Sequence, residues 1–300
     1  MRHFDFVGKS KISFRISLAL VILSVILLLK PGLNWGVDFT GGTLLERGFE
    51  RPITAGEIRE VLGSVHLDGI DLVKSVIQPV EGNRAALIRT QILDNEQIQV
   101  IDEGLTEHFG EVDVRRTEMV GPVVGQELVK QALMALMLAA VGMLVYLSFR
   151  FEYRFAVVAV LAVLHDALLV LGIFALLAKE INSPFIASIL TVVGYSVNNT
   201  IVIFDKIREN MSFRKRESWA EIANKSINET LTRSINTSLT TLLAVLALFF
   251  FGGATIRDFI LALLLGIVVG TYSSVFVAGP LWVEWKNRDD RRQALKTART

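Results

Sequence analysis

Hydrophobic positions in this chain gather into long unbroken runs rather than the alternations of a half-exposed surface. Crossing a bilayer takes about 20 mostly apolar residues in helical conformation. Six stretches meet that need: 12–29, 132–149, 155–178, 185–204, 235–251 and 259–283. The first is preceded or entered by Arg2, Lys9, Lys11 and Arg15, as a signal peptide would be. Its apolar part is longer than a signal core, and Leu27-Leu28-Leu29-Lys30-Pro31 offers no small-x-small cleavage site. It therefore reads as an uncleaved anchor, and the pattern predicts six transmembrane helices.

Between the first two runs the periodicity changes to that of a folded domain. Residues 43–49 alternate as a strand, and 54–62 read as a helix, with Thr54 capping and Glu57 three residues on. Residues 70–80 and 84–91 are strand-like around a Glu81-Gly82-Asn83 turn. Asp94 starts a helix that runs to Phe109 and closes on Gly110, and 111–120 form a last strand. The order βαββαβ is the ferredoxin-like split unit. Four segments are thus expected: 1–30, terminus and first helix; 31–130, the α+β domain; 131–284, helices two to six; 285–300, a basic tail.

Charge sets the orientation. Lys+Arg total 31 against 30 Asp+Glu, so the sum says little, but the distribution is uneven. Basic residues crowd the N-terminus, the turn with Arg150 and Arg154, the loop with Lys206, Arg208, Arg214, Lys215, Arg216, Lys225 and Arg233, and the tail from Lys286 to Arg299. The opposite turns hold only Lys179 and Arg257. Positive residues stay on the cytoplasmic side, which places both termini in the cytoplasm and the 31–130 domain outside it. The basic loop and tail are suited to anionic lipid, and no nucleic-acid partner is expected. Composition agrees with a membrane protein: 52% of residues are hydrophobic and mean hydropathy is +0.48. There are no cysteines, which removes disulfide and thiolate chemistry. His66 and His108 stand far apart without clustered carboxylates, and no His-Glu-x-x-His or Ser-His spacing appears. The chain is expected not to be an enzyme.

Directly after the first run comes Gly36-x-Asp38-Phe39-x-Gly41-Gly42, beside Trp35. It resembles the G-x-D-F-x-G-G motif of the SecD/SecF family, accessory subunits of the bacterial Sec protein translocase. Further likenesses follow the SecF pattern in order: Val120-Gly121-Pro122-Val123-Val124-Gly125; His165-Asp166; Gly194-Tyr195-Ser196-Val197-Asn198-Asn199-Thr200; Phe204-Asp205-Lys206-Ile207-Arg208-Glu209-Asn210; Arg233-Ser234-Ile235-Asn236-Thr237-Ser238; Phe251-Gly252-Gly253. The resemblance covers nearly the whole chain. It implies half of an RND-type helix bundle in the bacterial cytoplasmic membrane. SecD would supply the other half, with the SecYEG channel, YajC and translocating secretory chains as partners. The implied work is protein export assisted by a proton or sodium gradient, with no cofactor. The competing expectation is a half-size RND exporter of small molecules.

The glycines at 41 and 42 suit a tight turn from membrane into domain. Asp166 lies near mid-helix, about 17 Å from the cytoplasmic end, where a carboxylate is costly and faces the bundle interior. Two readings are open to it: a coupling group, or a structural hydrogen-bonded acid with His165 facing elsewhere. The resemblance places an aspartate of ion conduction where this chain has Asn199, which coordinates through its carbonyl but carries no proton. Beside it stands Asn198, and Arg233 matches the family's arginine at the start of the fifth span. Asn199 and Arg233 are expected at similar depth, joined by a hydrogen bond, unless Arg233 snorkels to headgroups. Small and hydroxyl residues concentrate in the last three spans, and Gly266 and Gly270 form a GxxxG that favours close helix packing.

Overall fold

A computed structural model describes residues 4–30, 32–67, 69–80, 82–214, 216–253 and 256–297. Of the residues named above, Arg2, Pro31, Glu81, Lys215 and Arg299 lie outside that set. The chain divides into two compact units, one of residues 35–133 and one combining the N-terminal segment through 34 with 134 onward.

In the 35–133 unit, β1 (Asn34–Trp35) and a single helical turn, α2 (Val37–Thr40), lead into β2 (Gly42–Phe49). Then come α3 (Ala55–Ser64), a 3-10 turn (Leu72–Lys74), β3 (Val76–Val80), β4 (Ala85–Thr90), α4 (Asn95–Phe109) and β5 (Val112–Val120). The strands from β2 to β5 form one sheet in the order β3-β4-β2-β5, every neighbouring pair antiparallel. Ile58, Val61 and Leu62 of α3 and Ile98, Ile101 and Leu105 of α4 recur at helical spacing and pack on Leu45, Ile77 and Ile88. β2, paired on both sides in the middle of the sheet, is buried along its whole length. The expected strand over 70–80 is shorter than its apolar pattern. Asp71 accepts from the amide of Val73 and turns 72–74 into the 3-10 segment, so pairing starts only at Val76. Pro79 then falls in β3, an edge strand, where a missing N–H costs no ladder bond on the open side. Gly82 (φ +65°) and Asn83 (φ +68°) make the reversal into β4.

α3 and α4 both begin on reciprocal capping boxes, Thr54/Glu57 and Asp94/Gln97. Glu57 Oε2 accepts from the Thr54 amide at 2.7 Å and Oε1 accepts from Arg51 at 2.8 Å. The Arg51 hydrogen bond first, and the Thr54 amide next, hold its carboxyl at about 2 against the usual 4.5. A depressed carboxylate contributes stability above its unfolded value that is lost as pH falls through its folded one. Amide protection at the start of α3 is therefore expected to decline between about pH 4.5 and 2. Glu57→Gln should flatten that dependence; hydrogen exchange across the pH series checks it, and an unchanged slope in the variant would refute the assignment.

The other unit holds α1 (Ser10–Leu29), the greater part of α5 (Pro122–Arg150), α6 (Tyr153–Leu176), α7 (Ser183–Ser212), α8 (Trp219–Phe251), and α9 (Arg257–Ser273), which continues through a π turn (Ser274–Ala278) into α10 (Gly279–Thr297). Among the described residues six helices are long and apolar enough to cross a membrane, the last running from Arg257 to Lys296. Several outrun their apolar cores. The start of α8 carries a third capping box, Ser218/Glu221, and buries Ile222, Ala223, Ser226, Ile227 and Thr230 every three or four residues. Its first four turns are amphipathic, so no hydropathy run announces them. Close approach follows small residues. A Cβ on Gly266 would lie 2.1 Å from Val192, one on Gly270 3.0 Å from Ser196, and one on Gly172 2.3 Å from Ser24. The GxxxG of α9 thus seats α9 directly on α7, and Gly172 seats α6 on α1.

Candidate functional site: a buried carboxylate among serines

The close approach of α9 to α7 brings hydroxyls from both helices against α6. Asp166 of α6 is 1% exposed. Its Oδ2 accepts from Ser196 Oγ of α7 at 2.6 Å and from Ser273 Oγ of α9 at 2.7 Å. Its Oδ1 lies 2.9 Å from Nδ1 of His165, so this histidine faces the acid rather than away from it. Each contact depends on the local fold. Without Gly270 at that level, a side chain would push against Ser196. Ser273 is the last residue before the π turn, a helix irregularity that recurs at functional sites. The next residue, Ser274, bonds Thr200 Oγ1 at 2.9 Å and donates to the Gly270 carbonyl at 2.7 Å.

A second polar cluster lies between α7, α8 and α9. Asn199, 3% exposed, donates through Nδ2 to Ser238 Oγ at 3.4 Å, and Ser238 Oγ is 2.7 Å from Thr271 Oγ1. The expected Asn199–Arg233 bond is replaced by this arrangement. Successive helical residues point about 100° apart, so when Asn199 turns into the bundle Asn198 turns out of it. Asn198 and the exposed Arg233 line one cleft of about 570 Å³ with Arg150, Asp205, Lys206 and Glu229. The structure therefore brings Asn198 to Arg233 and Asn199 to Ser238, and leaves Asp166 in its own serine cage. Sequence reasoning missed Ser273, although Ser273-Ser274, which begins three residues beyond the GxxxG, was a legible signal.

The glycine motif closes the entrance to the 35–133 unit. Gly36 caps α2, Asp38 sits in its first turn, and Phe39 stacks edge-on against Trp35 at 5.8 Å. Gly41 and Gly42 follow at φ +73° and +123°, and a Cβ on Gly42 would stand 2.4 Å from the Thr90 carbonyl. A Cβ on Gly125 would meet the Phe39 carbonyl at 3.1 Å, so the start of α5 packs on the motif backbone. His66 and His108 line one groove of about 810 Å³ with Glu60, Glu103 and Glu107. Among the described residues no group of three or more His, Asp or Glu side chains could hold a metal ion.

Comparison with known proteins is consistent along the whole chain. The family described as "Protein export membrane protein SecD/SecF, C-terminal" matches residues 100–288, and the "SecD/SecF GG Motif" matches 26–52. The chain is 44% identical to the protein translocase subunit SecF of Magnetococcus marinus, over 99% of this chain and 96% of that protein. It is 39% identical to the protein translocase subunit SecDF of Thermus thermophilus over 98% of its own length, but spans only 40% of that protein. The crystal structure of SecDF from Thermus thermophilus, described as a translocon-associated membrane protein, superposes with TM-score 0.89 at 39% identity, covering 95% of this chain and 39% of that one.

Proposed function

This chain belongs to the SecD/SecF family of protein-export membrane proteins, and on that premise we propose that it is an ion-gradient-coupled accessory subunit of the Sec translocase, working with SecD. The carrying observation is the fused relative: the chain matches two-fifths of a SecDF polypeptide over nearly its own full length, so the remainder corresponds to a partner. Six apolar helices whose outer members bury little within the chain support the reading of an RND-type half bundle awaiting that partner. The small-molecule exporter reading draws no support from relatives whose names are those of translocase subunits.

In this reading the protein resides in the bacterial cytoplasmic membrane with both termini inside, as its basic loops favour. The 35–133 unit is then a ferredoxin-like extracytoplasmic domain that binds or moves with the exported chain. The sheet order β3-β4-β2-β5 with two helices on one face supports that fold. SecYEG, YajC and anionic lipids are the further partners. Asp166 is the membrane-embedded coupling group, since a caged carboxylate at that depth is costly unless used. Asn198, Asn199 and Arg233 form the polar route beside it, and H+ or Na+ is the coupling ion. No catalytic residue or cofactor enters.

Affinity isolation in mild detergent is expected to recover a SecD-like partner; a lone, stable homo-oligomer would overturn the proposal. Asn199→Asp places a second carboxylate in the bundle beside Ser238 and should shift the pH profile of gradient-dependent export. An unmoved profile would remove position 199 from the route.

A further inference from the structure

We propose that His165 is the side chain that takes up and releases a proton inside the bundle, with Asp166 held ionised as its counter-ion. The inference rests on the coupling role proposed for the Asp166 site and names the group that carries the ion there.

The cage around Asp166 is built of donors. Two serine hydroxyls point at Oδ2 and the imidazole Nδ1 lies against Oδ1. An ionised carboxylate accepts all three when Nδ1 bears the imidazole hydrogen; a carboxyl proton on Oδ1 would instead be donated to a bare Nδ1 and would put the ring hydrogen on Nε2, buried with no acceptor. With Nδ1 bearing hydrogen toward Asp166, the other ring nitrogen is the free one. His165 is 9% exposed, and its Nε2 is buried without a hydrogen-bond partner among the described residues. That atom has one chemistry open to it. A proton delivered by water binds the Nε2 lone pair, forming an N–H bond and leaving the donor as water or hydroxide. The pair passes from one net negative charge to neutrality, and release reverses the step.

The surroundings single out this pair. From Ser17 to Leu29 of α1, Ser183 to Phe204 of α7 and Phe259 to Ala278 of α9 and the π turn, no charged side chain occurs. The titratable groups there are Tyr195, whose hydroxyl is buried and unpartnered, and Tyr272, whose hydroxyl bonds Ser17 Oγ at 3.0 Å. Arg15 lies on the exposed face of α1. The charges of α10 engage the start of α6, as Lys286–Glu152 and Arg154–Asp289, about three turns from His165. Asp205 of α7 and Asp258 of α9, which pairs with Lys179, stand at least about two turns from Ser196 and Ser273.

Nitrogen-15 NMR of the imidazoles, in the complex with its SecD partner reconstituted in lipid, tests this directly. Signals absent from His165→Asn are those of His165. Nδ1 is expected to remain protonated throughout a descending pH series, while Nε2 gains its proton. Infrared spectra over the same series should show no carboxylic-acid band removed by Asp166→Asn. An Nε2 that never protonates, or such a band, would overturn the inference. In export assays His165→Asn keeps a donor for Asp166 but no protonatable nitrogen, and should lose gradient dependence as Asp166→Asn does. If Asp166→Asn alone loses it, His165 is not the carrier and the coupling role of the site stands. If neither loses it, the coupling role of the site falls as well.

Discussion

Asp102→Ala is expected to destabilise the 35–133 unit by about 3–5 kcal/mol, the usual cost of leaving a buried charge without its partner. Arg47 lies in the central strand β2 with its side chain fully buried. It donates through Nε and Nη2 to the two carboxylate oxygens of Asp102 in α4, at 2.7 and 2.9 Å. Its Nη1 is spent on the Glu46 and Arg116 carbonyls and on Thr117 Oγ1. One guanidinium thus ties β2, β5 and α4 together at the point where the β2–β5 register shifts between Glu46 and Arg47. Without Asp102 the positive charge keeps three neutral acceptors and no anion. At roughly 4–8 °C per kcal/mol for a unit of this size, the melting transition should fall by more than about 12 °C. Thermal unfolding of the full chain followed by hydrogen exchange at β2 and β5 would read it. Arg47→Met with Asp102→Leu should recover much of the loss, because removing both charges also removes their desolvation cost. A single variant as stable as the parent would show that the pair contributes nothing.

Asp166→Asn is expected to abolish the gradient dependence of export while the chain still inserts and binds its partner. An amide offers one oxygen where the carboxylate offers two. Either the two serine hydroxyls must then turn, or the imidazole must change tautomer, to accept from an NH₂ group. Any buried donor left unsatisfied by that rearrangement costs about 1–3 kcal/mol, which loosens α6 against α7 and α9. The larger effect is on charge, since the substitution deletes the carboxylate that faces the three donors. Export into inverted vesicles, with and without an imposed gradient, measures it. Full gradient dependence in the variant would mean the cage is structural.

The sequence by itself determined the membrane class, because apolar runs of bilayer length have no other stable setting and survive any rearrangement of neighbours. It also determined the local punctuation of the 35–133 unit. The Thr54/Glu57 pairing and Gly110 are decided within four residues of chain, so propensity and capping suffice. The order of strands and helices was legible for the same reason. Where α8 begins was not, since an amphipathic start has no hydropathy signal and becomes helical only by burying Ile222, Ile227 and their neighbours against the rest of the unit. The length of β3 was likewise hidden, because the Asp71 turn competes with an apolar strand pattern.

At the candidate site the division is sharper. That Asp166 lies near the middle of a long apolar helix needs only counting along the chain. What surrounds it depends on helix rotation and contact, which no single helix specifies. Only the tertiary structure decided that Asn199 faces Ser238 while Asn198 shares a cleft with Arg233, a difference of about 100° around α7. Only it placed Ser273, more than a hundred residues along the chain, within hydrogen-bond reach of Asp166, through the contact of Gly270 with Ser196. And only it turned His165 toward the acid, leaving one ring nitrogen buried and free.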